Sequence, residues 1–249
     1  MKTSSPREND STFFDELDNP DLSRLAPSKI GSQFYCEKKV DLTKKYGDVP
    51  TPEKKKGSET HEKAAEDAEE LTREELWDAI ESGDPTVILE TFFTVKVGEF
   101  LFVGIPDAIL FDDSQPRLLF DRKTTARPNR LYDNQRIQVW LYGYLLDRLG
   151  FDTDRLQIVI LSHIRELDPE TAKDLQQKAF ASYSELGNGE HELLPGAIVH
   201  IFEYSPLDHF EELHWAMGYW REERDPIPTT IEAKCRSCEY REKCPDTLT

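Results

Sequence analysis

Residues 104–125 read GIPDAILFDDSQPRLLFDRKTT. Two apolar, strand-like runs flank Asp112-Asp113-Ser114-Gln115, a short segment of turn-forming residues, and this pattern predicts an antiparallel hairpin. Charges stand at the outer ends of both runs: Asp107 after Pro106 on one, and Asp121, Arg122 and Lys123 on the other. Such charges are costly at the ends of buried strands unless something pairs them. With the hairpin centred near Ser114, Asp107 falls opposite Asp121, and directly opposed residues set their Cβ atoms about 4.5–5.5 Å apart. Lys123, two residues beyond Asp121, shares that face. Two carboxylates and a lysine therefore converge.

Two like charges so close repel unless a cation bridges them. A hard, oxygen-seeking ion such as Mg²⁺ or Mn²⁺ suits carboxylate ligands, and such an ion can polarise a phosphate or acidify water. Lys123 is placed to orient an attacking water and to offset charge growing on a phosphate. The plainer alternative for the Asp-x-Lys triplet is a salt-bridged hairpin end, in which Asp121 and Lys123 only balance each other.

The formal net charge of −18 argues at first against nucleic acid as a partner. Its distribution says otherwise. Much of the excess acid lies in GSETHEKAAEDAEELTREELWDAIESGD, whereas Arg117, Arg122, Lys123, Arg127, Arg130 and Arg136 cluster around the hairpin with few acids between them. A basic groove on an acidic body would bind DNA locally while suppressing non-specific association. No run of about 18 apolar residues occurs, and the N-terminus has no hydrophobic signal region, so no membrane span and a cytoplasmic location are expected.

Around the hairpin the chain reads as a mixed α/β core. Residues 1–26 are polar and charged, and are expected to be a disordered or weakly ordered tail; residues 27–249 form one domain. SKIGSQFYCEKKVDLTKKYG is helical, DVPTPEKKKG is a loop, and residues 58–82 form a long helix with His61 and three alanines on one stripe. TVILETFFTVKV and EFLFVGIPDAILF read as strands before PRLLFDRKTT. A helix follows at about 131–149, then the strands LQIVILSHI and AIVHIFEYS with a helix at about 169–186 between them. DHFEELHWAMGYWREER is a last helix before a cysteine-rich tail. On the helix after the hairpin, Gln138 and Tyr142 stand at i, i+4 and share a face beside the apolar side made by Ile137, Trp140, Leu141, Tyr144 and Leu145. Tyr132 and Trp140 are candidates for base stacking.

All four cysteines suggest one use. Cys235, Cys238 and Cys244 make a C-x₂-C-x₅-C cluster, and Cys36 lies some two hundred residues earlier. Disulfides are rare in the cytosol, where such a cluster more often binds metal. Four thiolates suit zinc or an iron–sulfur cluster, and ligand chemistry alone leaves both open.

Gly104-Ile105-Pro106-Asp107, the hairpin, Asp121-Arg122-Lys123, then Gln138 and Tyr142 together resemble the PD-(D/E)XK nuclease superfamily. Asp121 stands where glutamate is more usual, and Gln138 to Tyr142 is similar to the QxxxY motif of its RecB-like branch. One cysteine before the core and three after it resemble the iron–sulfur nucleases of the Cas-four, exonuclease V and AddB types, whose four thiolates hold a [4Fe–4S] cluster. The resemblance runs from about Pro27 to Pro245. It implies a restriction-endonuclease-like mixed β-sheet flanked by helices, with cluster-binding segments at 27–46 and 232–249 joining the two ends. It also implies His61, Asp107, Asp121 and the Arg122 carbonyl as metal ligands, Lys123 as catalytic, and Gln138 and Tyr142 as orienting the scissile phosphate or strand. The activity implied is a metal-dependent DNA exonuclease working at single-stranded ends, with a part in CRISPR adaptation or DNA repair. No GxxxxGK[ST] motif is present, so unwinding would fall to a helicase partner. The alternatives are a non-catalytic DNA-end-binding module of a larger complex, or a zinc-stabilised structural protein.

Overall fold

The computed structural model of the chain describes residues 4–51, 71–164 and 169–248. The first elements in chain order are α1 (Pro6–Asp15), β1 (Ser23–Leu25), α2 (Pro27–Tyr46) and α3 (Arg73–Glu81). Five strands follow: β2 (Thr86–Leu89), β3 (Phe93–Val97), β4 (Phe100–Gly104), β5 (Ala108–Asp112) and β6 (Gln115–Thr124). Then come α4 (Asp133–Leu149), β7 (Gln157–His163), α5 (Pro169–Leu186), β8 (Gly189–Leu194), β9 (Ala197–Glu203), α6 (Phe210–Trp220) and the short α7 (Glu232–Arg236).

The main sheet has six strands in the order β2-β5-β6-β7-β9-β8, and a second has three in the order β1-β4-β3. Among the described residues only β6–β7 and β1–β4 pair in parallel. The β6–β7 pair is parallel because α4 crosses over between them, as a parallel connection requires. The mixed α/β class expected from the sequence is thus the observed one.

The hairpin forms, with a refinement. Asp113 and Ser114, at φ 54° and 57°, make the two-residue turn whose twist suits adjoining strands. On that turn alone, Asp107 would face Phe120. The register instead shifts between Leu110 and Phe111, with Arg117 as the extra residue on β6, so that Ala108 pairs with Phe120. Beyond this bulge Asp107 comes opposite Asp121. A one-residue slip exchanges the faces of a strand, so the bulge is what brings the two carboxylates to one side.

Alternation along β6 then sorts its residues into two layers. Leu119 joins a core containing Trp140, Leu141, Tyr142 and Leu145 of α4, while Leu118 and Phe120 pack with Leu175 and Ala179 of α5. Asp121 and Lys123 continue the Leu119 face and so point toward α4.

Several expectations are corrected. The segment TVILETFFTVKV is two strands in different sheets, because Glu90 adopts φ 42° and turns the chain. EFLFVGIPDAILF likewise divides, with Ile105-Pro106-Asp107 carrying the chain from the small sheet to the large one. Strands β1 and β8 had no strong alternation in sequence. The residues before 27, expected to be disordered or weakly ordered, include the helix α1. Ser5 and Glu8 form its capping box, and its buried Asp10 accepts hydrogen bonds from Arg73 and from Trp77 Nε1. Of the long helix expected at 58–82, the described part is α3, started by a Thr72–Glu75 capping box; His61 lies outside the described residues. Among the described residues no helix is long and apolar enough to cross a membrane.

Candidate active site

Asp121 is 1% exposed at the end of β6, and a carboxylate so buried needs a partner. Lys123 Nζ lies 2.8 Å from its Oδ2 and 3.1 Å from its Oδ1. The same ammonium donates to Gln138 Oε1 at 3.3 Å, and Gln138 Nε2 donates to the Tyr142 hydroxyl at 3.1 Å. Asp107 Oδ2 accepts the Arg122 N–H at 2.7 Å, which fastens the first carboxylate beside the second strand. The salt-bridged pair of the plainer reading is therefore present, but it is one link in a chain from Asp121 through Lys123 and Gln138 to Tyr142.

Two glycines let this chain close. A Cβ on Gly104 would sit 2.4 Å from Leu145 Cδ1 and 3.0 Å from Tyr142 Cδ1. A Cβ on Gly31 would sit 2.6 Å from the Asn134 carbonyl oxygen, so α2 can lie close against α4. Burial, reinforced by the nearby Asp121 and Asp107 carboxylates, pushes the Tyr142 phenol well above its ordinary range although Gln138 opposes the shift. Tyr142 is thus held neutral, with an O–H to donate.

Other sequence candidates separate. The Arg122 side chain is 6% exposed and belongs to the opposite face of β6 from Lys123. Arg117 is the bulge residue near the turn, six residues and about 20 Å of strand away from Lys123. The expected single basic groove therefore reduces, at the carboxylate end, to Lys123, Arg127, Arg130 and Arg136. Trp140 is buried, donates to the Ser205 carbonyl at 2.7 Å and stacks on Tyr144, so it is core and not a base platform. Glu90 meets Asp107 through its backbone, its N–H donating to the Asp107 carbonyl at 3.2 Å. His200, on the apolar strand β9, is a residue that no sequence motif marks, and it reaches the loop after Lys123, its Nε2 2.9 Å from the Pro128 carbonyl.

Two oxygen-donor carboxylates on neighbouring strands fit a hard divalent ion. Among the described residues no group of three or more His, Cys, Asp or Glu side chains is arranged to hold a metal; the further ligand expected, His61, lies outside them.

The cysteines are free. Cys36 interrupts α2 with an extended backbone, φ −172° and ψ 113°. The tail comes to this kink: Lys234 Nζ donates to the Tyr35 carbonyl at 2.9 Å, Lys39 pairs with Glu239 at 2.9 Å, and the Tyr240 hydroxyl donates to the Gly47 carbonyl at 2.6 Å. Burial pushes the Cys238 thiol up, and Cys36 is near enough to add to that shift. The segments carrying the four thiols are brought together, but the described side chains do not form a closed four-thiol site.

Acid, acid and lysine thus stand at the strand ends of a mixed sheet, with a glutamine and a tyrosine on the crossover helix. The chain belongs to the PD-(D/E)XK nuclease superfamily, whose family model matches residues 32–245. A solved structure titled "Crystal structure of SSO0001", one of 10 matching chains, aligns over 98% of this chain and 95% of its own with a TM-score of 0.53. At 13% identity this likeness concerns the fold alone. No curated protein matches the chain in sequence.

Proposed function

We propose that the protein is a metal-dependent deoxyribonuclease acting as an exonuclease on single-stranded DNA ends, with a [4Fe–4S] cluster tying its two termini together. The observation that carries the reading is Lys123, whose ammonium spans Asp121 and Gln138 while its side chain remains 18% exposed. An ammonium has three donors. They are turned toward Asp121 and Gln138, and the partly exposed ammonium can share them with a water or a phosphate oxygen arriving from solvent. Asp121 orients the lysine, Gln138 fixes its height along α4, and Tyr142 fixes the Gln138 amide. Asp107, Asp121 and the Arg122 carbonyl, with His61, would hold Mg²⁺ or Mn²⁺, which supplies Lewis acidity toward the phosphate when bound. Lys123 then balances charge growing on the phosphate, in a site partly screened from water. Zinc in the four-cysteine site is the alternative to iron and sulfide.

The test is cleavage of end-labelled linear single strands against closed circular single strands, with Mg²⁺ or Mn²⁺. Linear strands should shorten from one end while circles persist. Circles cut as fast as linear strands would overturn the exonuclease assignment, and no cleavage with either ion would overturn the nuclease reading.

A further inference from the structure

Between Lys123 and Gln138 the chain leaves β6, passes through Thr125-Ala126-Arg127-Pro128-Asn129-Arg130-Leu131-Tyr132 and enters α4. The loop therefore joins the two elements that carry the candidate site, starting two residues after Lys123 and ending at the N-terminus of the helix that bears Gln138. Loops are usually the least fixed part of a fold, but this one is pinned along its length. The Thr125 N–H donates to the His163 carbonyl at 2.9 Å, the Arg127 N–H to Thr125 Oγ1 at 3.2 Å, and the Arg130 N–H to the Arg127 carbonyl at 3.1 Å. At its middle, His200 Nε2 lies 2.9 Å from the Pro128 carbonyl. A carbonyl only accepts, so Nε2 carries the proton. His200 itself is 2% exposed in β9.

This pinned loop holds out two arginines. Arg127 and Arg130 are exposed, and neither has a carboxylate partner among the described residues. Arg7, Arg73, Arg221, Arg224 and Arg236 are paired with acids, whereas Arg117, Arg136, Arg148, Arg155 and Arg241 are not among the described residues; what sets Arg127 and Arg130 apart is that both stand on one pinned loop beside the site. With 49 acidic against 31 basic residues, partners for a guanidinium are plentiful, and a pair left open beside the site is available to another anion. Arg130 lies over the Tyr132 ring at 4.9 Å, a stacking that steadies the guanidinium plane while leaving its N–H edge free for phosphate. Arg127 is four residues from Lys123, no more than about 14 Å along the chain, which is a few nucleotides of strand.

We propose that residues 125–132 form a strand grip in which Arg127 and Arg130 bind backbone phosphates of single-stranded DNA next to the scissile bond. The proposal rests on the nuclease reading and adds to it the residues that hold the strand. No base edge is read by such contacts, so binding is indifferent to sequence.

Full-length protein with Ca²⁺ in place of Mg²⁺ and a fluorescent oligothymidylate, followed by anisotropy across a salt series, tests it. The double variant Arg127→Ala, Arg130→Ala should bind at least tenfold more weakly at low salt. Two lost phosphate contacts should make the slope of log affinity against log salt shallower by about 1.4. Arg127→Lys, Arg130→Lys should keep most of that slope, and Arg117→Ala, at the far end of β6, should leave it unchanged. An unchanged slope in the alanine double variant, or an equal loss in Arg117→Ala, would overturn the grip. If wild-type protein cleaves DNA while the slope stays unchanged, only the grip fails. If wild-type protein neither binds nor cleaves, the nuclease reading itself fails.

Discussion

At the scale of single residues, the site turns on how few atoms separate a structural ion pair from a reactive one. Asp121 and Lys123 alone would be a buried pair of little chemical use. The hydrogen bond from Lys123 to Gln138 Oε1 sets the ammonium between strand and helix. Lys123→Ala should therefore lower cleavage by about 10²- to 10⁴-fold while circular dichroism stays at the wild-type signal; undiminished cleavage by a folded variant would remove Lys123 from the chemistry. Tyr142→Phe deletes only the hydroxyl that accepts from Gln138 Nε2. One such bond is worth about 0.5–1.5 kcal/mol, so turnover should fall several-fold with metal affinity unchanged, as calorimetry would report. Gly104→Ala is a sharper test of packing. Its methyl group would overlap Leu145 and Tyr142, and overpacking of this kind costs about 1–3 kcal/mol, readable as a lower melting temperature together with weaker cleavage.

At the scale of elements, α2 links the candidate site to the cysteine segments. It lies against α4 at Gly31 and carries Cys36 at its kink, and one residue past the kink is Glu37, 1% exposed. Glu37 accepts two hydrogen bonds from Arg224, at 2.6 and 2.7 Å, one from the Ile227 N–H at 2.9 Å and one from Gln33 at 2.8 Å. Burial alone would push its carboxyl up, but these donors outweigh that and hold it below its ordinary value of 4.5. The folded state therefore binds the Glu37 proton less readily than the unfolded chain does. The resulting stabilisation is complete above about pH 4.5 and is lost as pH falls through the lower folded value. Glu37→Gln leaves Arg224 without its charge partner, a change costing about 3–5 kcal/mol. In thermal melts the variant should be clearly less stable at pH 7, and the gap to wild type should narrow in acid. A gap that stays constant down to acid unfolding would show that this pair does not hold the kink.

At the scale of the molecule, the two chain ends meet. Lys234, Lys39 and Tyr240 bind the tail to α2 by contacts that need no metal, and the thiols of Cys36, Cys235, Cys238 and Cys244 ride on the joined segments. If they share one cluster, losing any single thiolate should release the metal and loosen both ends together. Protein purified without oxygen should show the broad visible absorbance of a cysteine-ligated iron–sulfur centre, and Cys36→Ala should lose iron, colour and thermal stability as fully as Cys244→Ala. A colourless protein with one zinc per chain would replace iron–sulfur by zinc and keep the shared site. Full iron content in Cys36→Ala would end the shared site itself.

The local chemistry of this protein was written in its sequence. Asp113-Ser114 between apolar runs gave the hairpin, alternation put Asp121 and Lys123 on one face, and i, i+4 spacing put Gln138 and Tyr142 on another, because these depend on fixed periods of strand and helix. The ordered motifs also carried the superfamily. What the sequence did not decide were the places where distant segments choose between equally apolar alternatives. Nothing in TVILETFFTVKV marks Glu90 as the point where one sheet ends and another begins. Asp10 looks like any acid in a polar tail until Arg73 and Trp77, more than sixty residues on, arrive to bind it. The six basic residues near the hairpin were neighbours along the chain, but the strand carries Arg117 to one end of the sheet and buries Arg122 in the opposite layer. Local pattern sets which residues alternate, whereas only long-range packing sets which sheet, which end and which partner each one meets, since those choices rest on contacts between segments remote in sequence.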